Sequence, residues 1–226
     1  MAPAPPAASV FSRFYWALRA VLLRITRPRL VRQAGALLDA GYYRSQYPDI
    51  AAAGIDPLTH FLLAGAREGR NPHPLFDTAY YLEENPEVAR LGLNPLTHFQ
   101  VEGARRGCRP HPLFDTAYYL EQNPSVAASG VNPLVHFQTE GARKGCKPNP
   151  LFDTAYYLQQ NPDVAESSIN PLVHFLTHGA QENRKPNPLF DTAYYRTQNP
   201  PATPAEVPAA PHRGTTPAPR GGTRDA

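Results

Sequence analysis

The chain reads as an all-α solenoid, and three observations predict it. A unit recurs every 38 residues with no insertion or deletion, Asn-Pro punctuation divides each unit into three short helices, and a composition of 42% hydrophobic, 18% charged and 10% aromatic residues lies in the globular range. Asp39, Asp77, Asp115, Asp153 and Asp191 mark the period, and His60, His98, His136 and His174 keep the same beat. The domains that follow are a basic arm (1–38), four full repeats (39–76, 77–114, 115–152 and 153–190), a partial fifth (191–200) and a Pro-rich tail (201–226). One such unit is too short to bury its own apolar face, so stacked copies must share a core.

The arm contains six arginines and no acidic residue, whereas 39–190 carries 12 basic and 16 acidic residues. A basic arm on a mildly acidic body points to an anionic partner for the arm alone. On a helical projection of about 100° per residue, Phe11, Phe14, Tyr15, Leu18, Val21, Leu22 and Ile25 share an arc of about 120°. Arg13, Arg19, Arg24 and Arg27 lie outside that arc, Trp16 and Leu23 fall off the stripe, and Pro28 ends the helix. Two readings stand for this helix. As a basic amphipathic helix it lies on an anionic membrane surface through Phe11, Arg13, Phe14, Tyr15, Leu18, Arg19, Leu22, Arg24, Ile25 and Arg27. As a solenoid cap it packs its apolar stripe on the first repeat.

Within a repeat, Phe76-Asp77-Thr78-Ala79-Tyr80-Tyr81 sets an N-cap at Asp77, with Phe76 and Tyr81 spaced as a hydrophobic staple. Asp115 and Asp153 are the equivalent caps. Asn85-Pro86 then supplies a cap and a first-turn proline for a second helix, which Gly92 ends in the left-handed conformation. Asn94-Pro95 starts the longest helix, with Asn132 and Asn170 as its counterparts, and Leu96, Phe99 and Gly103 fall on one face of it. Glycine holds the slot of Gly103 in all four copies although it costs a helix about 1 kcal/mol, which predicts a close helix-to-helix approach. An extended connector of the Arg109-Pro110-His111-Pro112 type leads to the next Asp. The fourth repeat departs, with Ser168 and Asn183 where its siblings have glycine. After Pro200 the chain turns to Pro, Ala, Thr, Gly and Arg, a composition that predicts disorder. The change falls inside a repeat and reads either as a linker to a further domain or as the end of a truncated gene.

Five tyrosine pairs recur, and adjacent helical residues point about 100° apart. Packing of both members in the core is the favoured reading, because aromatics supply most of a small repeat's burial. The competing reading leaves Tyr43, Tyr81, Tyr119, Tyr157 and Tyr195 as an exposed ladder able to stack on sugars or on a partner. The periodic histidines stand a helix spacing of about 8–10 Å or more apart, too far to share one zinc, so they are expected to be structural and hydrogen-bonded. Cys108 and Cys146 occupy the slot held by Arg70 and Arg184 elsewhere, and equivalent slots lie too far apart for a disulfide, which predicts free thiols. No calcium loop, P-loop, nucleophile elbow, zinc-binding H-E-x-x-H or dinucleotide fingerprint occurs. The expectation is therefore no catalysis by this chain alone, no metal and no cofactor. Basic residues of the body form no aromatic-interleaved stripe, which excludes nucleic acid as a partner.

The runs Phe152 to Leu158, Asn161-Pro-Asp-Val-Ala165, Asn170-Pro-Leu-Val-His-Phe175 and Gly141-Ala-Arg-Lys-Gly145 resemble tandem repeats found beside bacterial polysaccharide glycosyltransferase domains, and in some large secreted bacterial proteins. The resemblance covers roughly two thirds of the chain. It implies a setting and no catalytic residues. The function expected is an accessory or scaffold module of bacterial surface-polysaccharide synthesis, cytoplasmic and peripheral at the inner membrane, with protein or glycan as partner. The alternatives are an exported carbohydrate-binding or adhesive repeat protein, and a truncated piece of a glycosyltransferase.

Overall fold

The computed structural model describes residues 10–199, with side chains from Tyr15 onward. The side chains of Phe11, Arg13 and Phe14 and the whole tail 201–226 lie outside the described residues. Among those described the chain is helical without strands. Helices α1 (Val10–Thr26) and α2 (Pro28–Gly35) form the arm, and each full repeat contributes three helices. In the second repeat these are Thr78–Glu84, Pro86–Arg90 and Pro95–His98, the last continuing as a π-helical turn over Phe99–Gly103. The fifth repeat adds its first helix, Thr192–Gln198.

Local chemistry explains the boundaries. The Asp77, Asp115 and Asp153 carboxylates accept the N–H of Tyr80, Tyr118 and Tyr156, each at 3.0 Å. Asn94 accepts from Thr97 N–H, while Asn132 and Asn170 each accept two N–H groups, from Leu134 and Val135 and from Leu172 and Val173. The staples form, with Phe76 and Tyr81 ring centroids 5.2 Å apart and Phe114 and Tyr119 5.3 Å apart. Asn85 behaves differently from its expected role. Its side chain caps no N–H of the second helix; Nδ2 donates back to Tyr81 C=O at 2.8 Å, as Asn123 and Asn161 do to Tyr119 and Tyr157. Because one residue ends one helix and starts the next, the amide satisfies an orphan carbonyl behind it, and Pro86 supplies the first-turn geometry ahead.

Each repeat closes on itself through a main-chain bond and is tied to a neighbour by a threonine hydroxyl. Asp77 N–H donates to Pro110 C=O at 2.8 Å, and Asp39, Asp115 and Asp153 repeat the bond to Pro72, Pro148 and Pro186. Thr78, Thr154 and Thr192 hydroxyls donate to the carbonyls of Arg70, Cys146 and Arg184 in the preceding unit at 2.7–2.8 Å. One continuous apolar core runs from Ala34 to Leu172, floored in every unit by a Phe and a Tyr. In the fourth repeat Asn183 takes the left-handed conformation (φ 60°) that Gly69, Gly107 and Gly145 take in the others, Asn being the residue that best replaces glycine there.

Candidate functional site

The residues with chemical potential converge on one structural unit per repeat. Tyr43, Tyr81, Tyr119 and Tyr157 are fully buried, and each hydroxyl is hydrogen-bonded to Nδ1 of His60, His98, His136 or His174 at 2.7–2.9 Å. The third corner is the recurrent glycine. A Cβ at Gly65, Gly103, Gly141 or Gly179 would collide with the hydroxyl of that tyrosine, so the close approach is by a side chain of the same repeat. The longest helix, expected to be α-helical throughout, widens here: Ala104 and Ala142 N–H reach back five residues to Phe99 and Phe137 C=O at 2.9 and 3.0 Å. A π turn admits the hydroxyl between backbone and imidazole.

This overturns the aromatic ladder as a binding surface. Tyr43, Tyr81, Tyr119 and Tyr157 are the core members of their pairs, and in the last three the staple with the preceding Phe turns the ring inward. Tyr195 is 52% exposed, since no third helix covers it among the described residues. Their partners Tyr42, Tyr80, Tyr118 and Tyr156 are half-buried. A glycan site on the five ladder tyrosines is not built.

We expect Gly141→Ala to destabilise the protein by about 1–3 kcal/mol through overpacking, despite the gain of about 1 kcal/mol in helix propensity. Tyr119→Phe in the same chain removes the colliding oxygen and should recover part of that loss. Urea unfolding of both single variants and the double variant measures the coupling, and strict additivity would remove the collision as the cause.

Two features escaped the sequence reading. Arg70 makes a two-pronged pair with Asp49 (3.0 and 2.8 Å) and Arg184 with Asp163 (2.8 and 2.7 Å). The Arg184 pair holds the Asp163 carboxyl down at about 2. In the two repeats between them Cys108 and Cys146 replace the arginine, and Glu87 and Ser125 replace the aspartate, so the pair is present or absent as a unit. Both thiols are unpaired and half-buried, and burial pushes the Cys108 thiol up, away from the nucleophilic thiolate. The second feature is the connector slot His73, His111, Asn149 and Asn187. Each accepts the N–H two residues ahead at 2.7–3.0 Å, and the two asparagines also donate to Leu113 and Leu151 C=O. His and Asn share this acceptor geometry, a signal legible only once the slots are aligned.

Among the described residues no three His, Cys, Asp or Glu side chains converge as a metal site requires. No described helix is long and apolar enough to cross a membrane.

The arm resolves its two readings in an unexpected way. Helix α1 does lie on the first repeat, but through the residues that fell off the stripe. Trp16 packs on His60 with ring centroids 5.2 Å apart, Ala20 is buried, Leu23 is half-buried, and Arg24 approaches Asp56 at 3.6 Å. The expected stripe is left outside: Tyr15, Leu18, Val21 and Leu22 are each about half exposed, and Ile25 is 71% exposed. Arg19 and Arg27 lie exposed on the same helix and at its end. Comparison with protein-family models, with curated proteins and with solved structures gives no significant match.

Proposed function

We propose that this protein is a non-catalytic helical-repeat scaffold held on an anionic membrane surface by α1, serving bacterial surface-polysaccharide synthesis through a protein or glycan partner. The observation that carries the membrane reading is the division of α1 into two faces. One face is consumed by docking, which fixes the helix to the array, and the other presents Leu18, Val21, Leu22 and Ile25 to solvent among arginines. An exposed apolar stripe on a helix with no acidic residue suits the boundary between anionic headgroups and acyl chains, where each arginine contributes about 1 kcal/mol. The non-catalytic reading is supported by the use of the inward tyrosines, the histidines bonded to them and the recurrent Asp and Asn residues in packing or capping. The polysaccharide setting is supported by the resemblance of the repeats.

Flotation with vesicles tests the membrane reading. The protein should float with vesicles rich in phosphatidylglycerol and stay behind with phosphatidylcholine alone. Val21→Glu with Ile25→Glu, both on exposed positions, should weaken partition by about tenfold or more, since each lost side-chain burial is worth about 1.5–3 kcal/mol. Equal flotation of the variant and the parent would refute the assignment of this face.

A further inference from the structure

At the C-terminal end of the array the described residues leave open a groove that the second, third and fourth repeats close. In the second, third and fourth repeats the inward tyrosine and the Phe stapled to it lie under the third helix of the unit. Phe76, Phe114 and Phe152 meet Phe99, Phe137 and Phe175 at ring-centroid distances of 5.6–5.8 Å, and Leu96, Leu134 and Leu172 are fully buried beside them. The fifth repeat builds the same floor. Asp191 caps its helix, Thr192 is tied back to Arg184, and Phe190 stacks on Tyr195 at 5.4 Å. No third helix lies over that floor among the described residues.

The consequence is graded along the chain. Exposure of the connector leucine is 0% at Leu75, 71% at Leu151 and 98% at Leu189. Leu151, Phe152, Phe175, Phe190 and Tyr195 line an apolar cavity of about 450 Å³. The sequence from 201 to 226 holds a single large apolar residue, Val207, and no Leu, Ile, Met or aromatic residue. It therefore lacks the Leu and Phe that fill this space in each complete repeat.

We infer that this groove receives a helix of the third-helix type, Pro-Leu-x-His-Phe-x-x-x-Gly, supplied from outside residues 1–226. The floor itself specifies the occupant. Its leucine would enter as Leu172 does over the fourth repeat, its phenylalanine would cover Phe190 as Phe175 covers Phe152, its histidine would face the Tyr195 hydroxyl, and its glycine would make room for that hydroxyl. The interface continues the one already made between helices inside each unit, so it needs no new recognition chemistry. This inference is independent of the membrane reading.

The test uses the full chain and a fluorescent peptide with the sequence of residues 167–184. A second peptide carries Leu172→Asp and Phe175→Asp, and a protein variant carries Leu151→Glu and Leu189→Glu, two exposed positions whose change leaves the fold intact. Saturable anisotropy with Kd below about 1 mM, weakened at least tenfold by either alteration, is the expected result. Absence of binding by the native peptide up to that concentration would overturn the inference, as would equal binding of the altered peptide or by the altered protein. Binding that emerges only when residues 201–226 are removed would overturn it too, by showing that the chain's own tail fills the groove.

Discussion

Replacing Phe99 with alanine should remove about 3–5 kcal/mol of stability, and the same change at Phe175 should remove distinctly less. Phe99 is fully buried against Phe76 and Tyr81, whose ring centroids lie 5.8 and 5.9 Å away. Truncation there leaves a void that two rigid aromatic neighbours cannot collapse into. Phe175 has the same neighbours in kind, Phe152 at 5.6 Å and Tyr157 at 5.9 Å, yet it is only part-buried and borders the open apolar cavity at the end of the array. Water already reaches that side, so less burial is lost. Since whole domains are stable by about 5–15 kcal/mol, the first change consumes a large share of the total. Urea unfolding of the two variants decides the matter. Equal losses at both positions would show that the core is uniform along the array, contrary to the graded exposure from Leu75 to Leu189.

The repeat frame, the Asp and Asn caps and the Phe-Tyr staples were legible in the sequence because each depends on contacts within a few residues. What was misread depends on which way a side chain turns. The paired tyrosines announce one inward and one outward member, and the staple names the inward one: Tyr81 meets Phe76 and therefore cannot also be the ladder residue. The glycine at 103 carried the complementary half of that signal, since the space it leaves is filled by Tyr81 Oη. The π turn between Phe99 and Gly103 has no pattern of its own and follows from that hydroxyl. In the arm, the projection finds the widest apolar stripe, whereas docking selects the face whose shape fits the first repeat. Trp16 matches the imidazole of His60, and the stripe is left to solvent. Asn85 was assigned to the helix after it because proline follows; its amide instead answers the carbonyl before it.

Acid should destabilise the protein by about 3 kcal/mol between pH 6.5 and pH 4 through His73, with further loss from His60, His111 and His174. The His73 ring is buried, accepts Leu75 N–H on Nδ1 at 2.9 Å, and has Gln138 Nε2 at 3.3 Å from the same nitrogen. Two donors aimed at one nitrogen fix it as an acceptor and leave the single proton on Nε2. Burial pushes its pKa down to about 4, with Asp39 pulling weakly upward and His111 adding to the depression. The folded pKa thus lies below the value of about 6.5 in an unfolded chain. Above pH 6.5 neither state binds the proton and the full stability is present. As the pH falls from there toward 4 the unfolded chain takes up a proton that the folded ring refuses, at about 1.4 kcal/mol per pH unit. His60, His111 and His174 are lowered as well, burial being the main cause at each, so their losses run in the same direction. The protein itself supplies the control. Asn149 and Asn187 occupy the slot of His73 and accept the equivalent N–H at 2.7 and 2.8 Å without titrating. His73→Asn should therefore match the parent within about 1 kcal/mol at pH 7.5 and exceed it by about 2–3 kcal/mol at pH 4.5, by urea unfolding at the two pH values. If parent and variant lost stability in parallel, His73 would not be the group responsible, and the acid limb would belong to His60, His111 and His174.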